Sequence, residues 1–227
     1  MKNMTTTPAS SRTLTRRGLV GMALGLSAAA VLSLLPVAVA PAAAQATATA
    51  QKIADHFSSI RTMSGEFVQF DPRGRQTGGK FYLQRPGKIR FNYDGGAGFR
   101  VISDGRSVVL ENPRMKTMDL YPLSKTPLNL LLADRIDLTG NRVRSVKEED
   151  DQTVIQLVDR SAFGNARITM KFDPSSYELK EWTITDAQGK DTTVMIFNVR
   201  RDVKLDQGLF SIDYKKNLEL NSKKSNR

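Results

Sequence analysis

The chain has 227 residues, a formal net charge of +11, a single histidine and no cysteine. The absence of cysteine excludes disulfides, thiolate metal sites and cysteine nucleophiles, and it leaves no residue for lipidation of the N-terminus. The one histidine, His56, has no second imidazole with which to share a metal, and no histidine-based triad is present. The composition therefore predicts a protein that is not an enzyme and that has no cofactor or metal site.

The first 46 residues have the features of a cleaved signal peptide. A basic segment ends at Arg16 and Arg17, an apolar run follows, and small residues offer cleavage after Ala44 or Ala46. The arginine pair resembles a twin-arginine signal, the general secretory route stays open, and a retained membrane anchor is the alternative to cleavage. We expect residues 1–46 to deliver the mature protein to the periplasm.

The mature chain begins with a predicted amphipathic helix over residues 47–60. Ile53, Phe57 and Ile60 have the spacing i, i+4 and i+7, which places them on one helical face. We therefore expect this helix to pack its apolar face against the rest of the domain.

Strands follow, and the most apolar of them form a hairpin in the stretch GKFYLQRPGKIRFNY at 79–93. Its corner is Arg85-Pro86-Gly87, where proline presets one turn position and glycine tolerates a positive φ. The arginine stands at the strand end, where its side chain can turn inward over an apolar face. Alternation puts Phe81 and Leu83 on one face of the first hairpin strand and Ile89, Phe91 and Tyr93 on one face of the second. Along the preceding strand, 64–70, Phe67 and Gln69 share one face.

Further strands with short turns predict an antiparallel sheet. Asp104-Gly105 is a strong hairpin signal, and the other turns are marked by Gly, Pro, Asp or Asn, as at 163–165. The further predicted strands are 100–103, 107–111, 115–121, 142–147, 153–159, 166–172, 179–185 and 192–199. This spacing predicts a mainly β fold with short α-helices, in which about 11 strands form an antiparallel meander curled into a barrel or half-barrel.

The predicted strands are interrupted at 127–133 by a predicted short helix that is apolar on almost every side. Proline at its first turn and four leucines within five residues predict a helix that cannot lie on a wet surface. The two helices either complete an ordinary core or leave a cavity for an apolar guest between lid and sheet. We expect one domain over 47–214, followed by a basic, disordered tail over 215–227.

The pattern of charges argues against two other functions. Basic residues are scattered singly over alternating strand faces, which disfavours binding to nucleic acid. Four acidic residues at 148–151 lack the spacing of an EF-hand, so they indicate a solvated hairpin tip.

The order of the elements resembles the periplasmic outer-membrane lipoprotein carrier family, the soluble carriers of the Lol pathway. The motifs that carry the resemblance are F-x-Q at 67–69, R-P-G at 85–87, S-D-G at 103–105 and the helix sequence TPLNLLLA. The resemblance covers residues 50–210. It implies an incomplete antiparallel β-barrel closed by a helical lid. It also implies a soluble periplasmic chaperone that accepts lipoproteins released from the inner membrane, shields their acyl chains in an apolar cavity and carries them to the outer membrane.

The same resemblance implies partners and residue roles. The partners are outer-membrane-destined lipoproteins, an inner-membrane lipoprotein-releasing ABC transporter complex and an outer-membrane lipoprotein receptor, and we expect a monomer. Arg85 matches the family's arginine after the second strand, whose hydrogen bonds to the lid hold the cavity shut until a ligand enters. Ile89 and Phe91 are implied to lie at the cavity mouth, where the family also meets the release complex. The implied acyl-chain cavity is lined by Phe67, Phe81, Leu83, Ile89, Phe91, Leu128, Leu131 and Leu132.

Two alternatives stay open on the same fold. One is a periplasmic protein that binds free fatty acid or phospholipid, which co-purified lipid would identify. The other is a lipoprotein-sensing regulator that binds a partner protein.

Overall fold

Eleven strands form the body of the molecule in a computed structural model that describes residues 42–96, 98–136, 138, 142–159 and 166–225. The strands are β1 (Thr62–Phe70), β2 (Gln76–Gln84), β3 (Lys88–Tyr93), β4 (Arg100–Asp104), β5 (Ser107–Asn112), β6 (Thr117–Pro122), β7 (Val143–Glu148), β8 (Thr153–Asp159), β9 (Ala166–Phe172), β10 (Leu179–Thr185) and β11 (Asp191–Arg201). The predicted mainly β fold of about 11 strands is confirmed. The predicted leader up to residue 41 and the predicted turn at 163–165 lie outside the described residues.

All neighbouring strands pair antiparallel, in the order β6-β5-β4-β3-β2-β1-β11-β10-β9-β8-β7. Each hairpin pairs strands that are adjacent in sequence, and the pairing of β1 with β11 joins the two meanders. The order begins with β6 and ends with β7, so the described strands form an unclosed sheet.

The sheet is strongly curved. The ring centroids of Phe91 on β3 and Trp182 on β10 are 6.2 Å apart. Four strand spacings separate these two strands in the sheet order, which in a flat sheet is roughly 19 Å. The contact across the interior is therefore possible only because the sheet curls into an incomplete barrel with a concave apolar face.

Two helices cover that concave face. The first, α1, spans Ala42–Ser59, and its residues Ile53 and Phe57 are fully buried as the predicted spacing requires. It begins several residues before the predicted start at 47. The second, α2, spans Leu128–Leu131, with Pro127 immediately before it. No helix in the described part of the chain is long and apolar enough to cross a membrane.

The prediction of a disordered tail is wrong for residues 215–225, because a third helix, α3, spans Tyr214–Ser225. This helix lies on the outer face of the sheet, where Ile212 and Leu220 join a second apolar cluster with residues of β4, β5 and β6. The amide of Asn217 donates to the carbonyl oxygen of Met118 at 2.7 Å and is buried. The sequence does not predict this helix, because the tail has few apolar residues and they pack only against strands that are distant in the chain.

Two charged contacts also attach α3 to the sheet. The carboxylate of Glu111 on β5 is buried and accepts hydrogen bonds from Arg100 Nε and Lys216 Nζ, each at 2.6 Å. The bond from Arg100 is the main cause that lowers the pKa of Glu111 to about 2, and the bond from Lys216 adds to it. Tyr214 Oη donates to Asp104 at 2.6 Å.

Replacing Glu111 with glutamine is expected to lower the free energy of unfolding by about 1–3 kcal/mol and to release α3, because two cations lose their common anion. Urea unfolding and amide exchange of α3 measure the two effects. Because the folded pKa is depressed, the stabilisation is complete above about pH 4.5 and is lost as the pH falls toward 2. The difference between wild type and Glu111→Gln should therefore shrink over that interval.

Glu181→Gln is the matched control, because Glu181 pairs with Lys171 at 2.9 Å on the outer face of β9 and β10, away from α3. We expect it to cost no more than about 1 kcal/mol. Equal losses in the two variants, or a difference that stays constant down to low pH, would contradict the role given to Glu111.

Candidate functional site

The corner Arg85-Pro86-Gly87 joins β2 to β3 at one end of the barrel, as the sequence predicts. Gly87 has φ of 77°, and a Cβ at this position would lie 2.7 Å from the Cα of Gly105. The hydroxyl of Ser103 donates to the carbonyl oxygen of Gly87 at 2.7 Å and is fully buried. The R-P-G corner therefore packs directly on the S-D-G corner, which fixes where Arg85 leaves the sheet.

Arg85 reaches from this corner to the C-terminal end of α2. Its Nη1 donates to the carbonyl oxygens of Leu131 at 2.7 Å and Ala133 at 2.9 Å, and the backbone N–H of Gly87 donates to Leu132 O at 2.9 Å. The last carbonyls of a helix have no partner within the helix and carry partial negative charge. One arginine and one backbone amide thus satisfy three consecutive carbonyls and hold α2 against the barrel.

Burial of the Arg85 guanidinium costs free energy of desolvation. Arg85 is only 3% exposed, and burial, with a smaller contribution from nearby Arg61, lowers the pKa of Arg85 to about 10. The group remains protonated at neutral pH, with its Cζ 4.4 Å from the ring centroid of Phe57. Its Nε and Nη2 have no hydrogen-bond partner among the described residues. A buried cation that is only partly satisfied makes this contact easier to open than its hydrogen bonds alone suggest.

The predicted cavity residues are brought together, but as a packed cluster in which their side chains touch. Phe67, Phe81, Leu83, Ile89, Phe91, Leu131 and Leu132 are buried in one core cluster, and Leu128 is partly buried at its border. The ring of Phe67 lies edge-on to those of Phe91 and Tyr93, each at 5.0 Å between centroids. Ile89 and Phe91, expected at the cavity mouth, are 0% and 5% exposed and so lie inside the cluster in this closed conformation.

Several residues of this interior were not assigned to it from the sequence. Phe57 of α1 packs edge-on to Phe172 of β9 at 5.7 Å, and Trp182 of β10 meets Phe91. The sequence signal is the alternation of apolar and polar residues along 166–172, and every apolar residue of that strand is buried. What the alternation does not reveal is that β9 and β10 face the first hairpin across the barrel.

The F-x-Q motif has a structural explanation at the other end of the interior. Gln69 Oε1 accepts a hydrogen bond from the hydroxyl of Tyr93 at 2.7 Å. Burial raises the pKa of Tyr93 to about 12, so the phenol stays neutral and donates. The pair satisfies two polar groups beside the aromatic cluster.

The helices α1 and α2 are tied to each other through the segment that follows α2. The N–H of Ile136 donates to Ser58 Oγ at 3.0 Å, and the N–H of Leu138 donates to Gln51 Oε1 at 3.1 Å. Arg135 Nε donates to Asp55 at 2.9 Å. These bonds make α1, α2 and the linking segment one cover, which we call the lid.

The chemistry of the site is that of apolar burial. Within the described ranges, no group of three or more His, Cys, Asp or Glu side chains is placed to hold a metal ion. His56, the only histidine, lies edge-on to Tyr177 with 6.0 Å between ring centroids. The lid covers an aromatic concave face, and the buried Arg85 bonds the end of α2 to the barrel.

Comparisons with known proteins agree with the resemblance seen in the sequence. A family model described as outer membrane lipoprotein carrier protein LolA matches residues 58–213. The chain is similar to the outer-membrane lipoprotein carrier protein of Methylococcus capsulatus, with 30% identity over 79% of this chain and 90% of that protein. It is also similar to the one of Halorhodospira halophila, with 27% identity over 72% and 80%. A solved LolA superfamily protein from Nitrosomonas europaea aligns over 73% of this chain and 98% of its own, at 14% identity and a TM-score of 0.40.

Proposed function

The chain belongs to the outer membrane lipoprotein carrier family, and on that premise we propose that it is a soluble periplasmic carrier of lipoproteins. It accepts lipoproteins released from the inner membrane by an ABC transporter complex, shields their acyl chains and delivers them to a receptor on the outer membrane. The function is that of a chaperone, without catalysis.

The physical need for such a carrier is large. Burial of acyl chains is worth about 0.8 kcal/mol per methylene, so a lipoprotein with three chains of ~16 carbons would lose about 35–40 kcal/mol if released bare into water. Spontaneous crossing between membranes is therefore negligible. A carrier must replace this burial with its own apolar surface and still release the guest to the next acceptor.

The observation that carries the proposal is the fastening of the lid by Arg85. The concave face holds an aromatic cluster that could solvate acyl chains, and the lid over it is held by two hydrogen bonds from a partly satisfied, buried cation. When the lid opens, apolar surface is exposed, and a guest that fills the space restores the burial. A carrier requires closed and loaded states that are close in free energy, and these opposing costs act in that direction.

A release assay tests the proposal. Purified mature protein is added to spheroplasts or inner-membrane vesicles that make a known outer-membrane lipoprotein, and the soluble fraction is examined for a complex of the two. We expect a soluble one-to-one complex that passes its lipoprotein to added outer membranes.

If no complex forms although the release machinery is shown to be active, the carrier proposal is wrong. Mass spectrometry of lipid that co-purifies with the protein then decides whether it binds free fatty acid or phospholipid instead.

A further inference from the structure

A lateral opening of about 300 Å³ lies between the end of α1 and the strands β10 and β11. Its floor is apolar and consists of core side chains, among them Phe57, Met63 and Ile196. Its rim is charged and includes Glu178 and Arg201. The residues that line this opening do not include Ile89 and Phe91, which the resemblance implies at the cavity mouth.

The sheet is irregular where the opening occurs. Between β1 and β11, Ser64 pairs with Arg200 and Glu66 with Phe197, so β11 contributes an extra residue to the ladder. Within this bulge Asn198 has φ of 51°, and its amide donates to the carboxylate of Glu66 at 2.8 Å. A bulge bends the strand and interrupts the ladder. The irregularity opens the sheet beside the floor of core residues.

The floor is continuous with the interior. Phe57 is buried in the same cluster as the leucines of α2, and the guanidinium of Arg85 lies over its ring. Met63 lies opposite Leu83 on the neighbouring strand. An apolar chain that enters the opening meets the aromatic interior after displacing Phe57, and it disturbs the contact that helps to hold Arg85.

Weak ion pairs at the rim lie across the opening, and other polar groups can replace them. The carboxylate of Glu178 contacts Lys180 Nζ and Arg201 Nη2, each at 3.3 Å, and all three side chains are at least 36% exposed. Exposed pairs of this kind contribute about 0–1 kcal/mol each. Two cations against one carboxylate leave positive charge at the rim. The ester or amide carbonyl oxygens at the head of an acyl chain can accept from these cations in place of Glu178.

We propose that a single acyl chain of the cargo enters the barrel through this lateral opening, with its polar head held at the rim by Lys180 and Arg201. The inference rests on the proposed carrier function and adds the path by which the cargo enters. The volume is at the lower end of pockets that take small ligands, so the opening admits one chain at a time.

The absence of cysteine from the chain allows a direct test. Val199 lines the opening, and Val68 lies on β1 across from Met195; both are half-buried, so single variants Val199→Cys and Val68→Cys form a matched pair. The rate of thiol modification by a maleimide is measured on the empty protein, with palmitate, and on the lipoprotein complex from the release assay. We expect loading to slow modification at Val199→Cys by about tenfold or more and to leave Val68→Cys within about twofold.

A second pair of variants tests whether blocking the opening prevents loading of the cargo. Val199→Trp places a large side chain in the opening and should reduce the yield of lipoprotein complex by about tenfold, whereas Val68→Trp should match wild type. If wild type forms the complex but Val199→Cys is unprotected and Val199→Trp loads normally, the lateral path is wrong and the carrier function stands. If wild type forms no complex, the carrier function itself is wrong.

Discussion

Replacing Arg85 with leucine is expected to loosen the lid while leaving the fold intact. The variant loses two charge-assisted hydrogen bonds to the end of α2, each at 2.9 Å or less. Bonds of this kind are worth about 1.5–3 kcal/mol each, and relief of the buried cation's desolvation cost offsets part of the two, so we expect a net loss of about 1.5–2 kcal/mol and a roughly 10- to 30-fold increase in lid opening. The change also removes a buried cation with unsatisfied nitrogens, so the free energy of unfolding should fall by no more than about 2 kcal/mol.

Two measurements separate these effects for Arg85→Leu. Hydrogen exchange at the N–H of Gly87, which is bonded to Leu132 O, reports lid opening, and urea unfolding reports global stability. In the release assay we expect slower transfer of lipoprotein to outer membranes, because the shifted lid equilibrium changes the balance between loaded and empty carrier.

Arg61→Leu is the control for the arginine. Arg61 also bridges barrel and lid, through Asp134 at 2.7 Å, but the two side chains are 53% and 69% exposed. Such a pair contributes about 0–1 kcal/mol, so lid exchange should change little. If Arg61→Leu and Arg85→Leu loosen the lid equally, or if Arg85→Leu loads and transfers like wild type, Arg85 is not the fastening residue.

Replacing Gly79 with alanine is expected to give the largest loss of stability. A Cβ at this position would lie 1.9 Å from the carbonyl oxygen of Asn92 and 3.0 Å from the Cα of Tyr93. These are backbone atoms of β3, so relief requires β2 and β3 to separate at the edge of the aromatic cluster. We expect a loss on the order of 3 kcal/mol or more, or failure to fold, measured by urea unfolding and circular dichroism.

Gly96→Ala is the matched control, because a Cβ there would meet no described atom within 4 Å. It should leave stability within about 0.5 kcal/mol of wild type. A Gly79→Ala variant as stable as Gly96→Ala would show that the strands can shift without cost, contrary to the close approach seen here.

The chemistry of the lid contact was visible in the sequence in part. A proline–glycine corner after an apolar strand predicts where the chain turns, and an arginine there can bend over an apolar face. Its partner carbonyls belong to residues 131 and 133, more than forty positions later, and only the folded chain brings them within hydrogen-bonding distance. The same holds for Phe57 and the residues of the lateral opening.

Local patterns determined the strands, their turns and the apolar face, because alternation and turn residues act over a few positions in the chain. Strands β8, β9 and β10 have the predicted bounds for this reason. Tertiary structure decided three other features: the pairing of β1 with β11, the helix α3 on the outer face and the packing of Ile89 and Phe91 inside a closed interior. Each depends on contacts between residues far apart in sequence, whose free energy appears only when the sheet curls and brings them together.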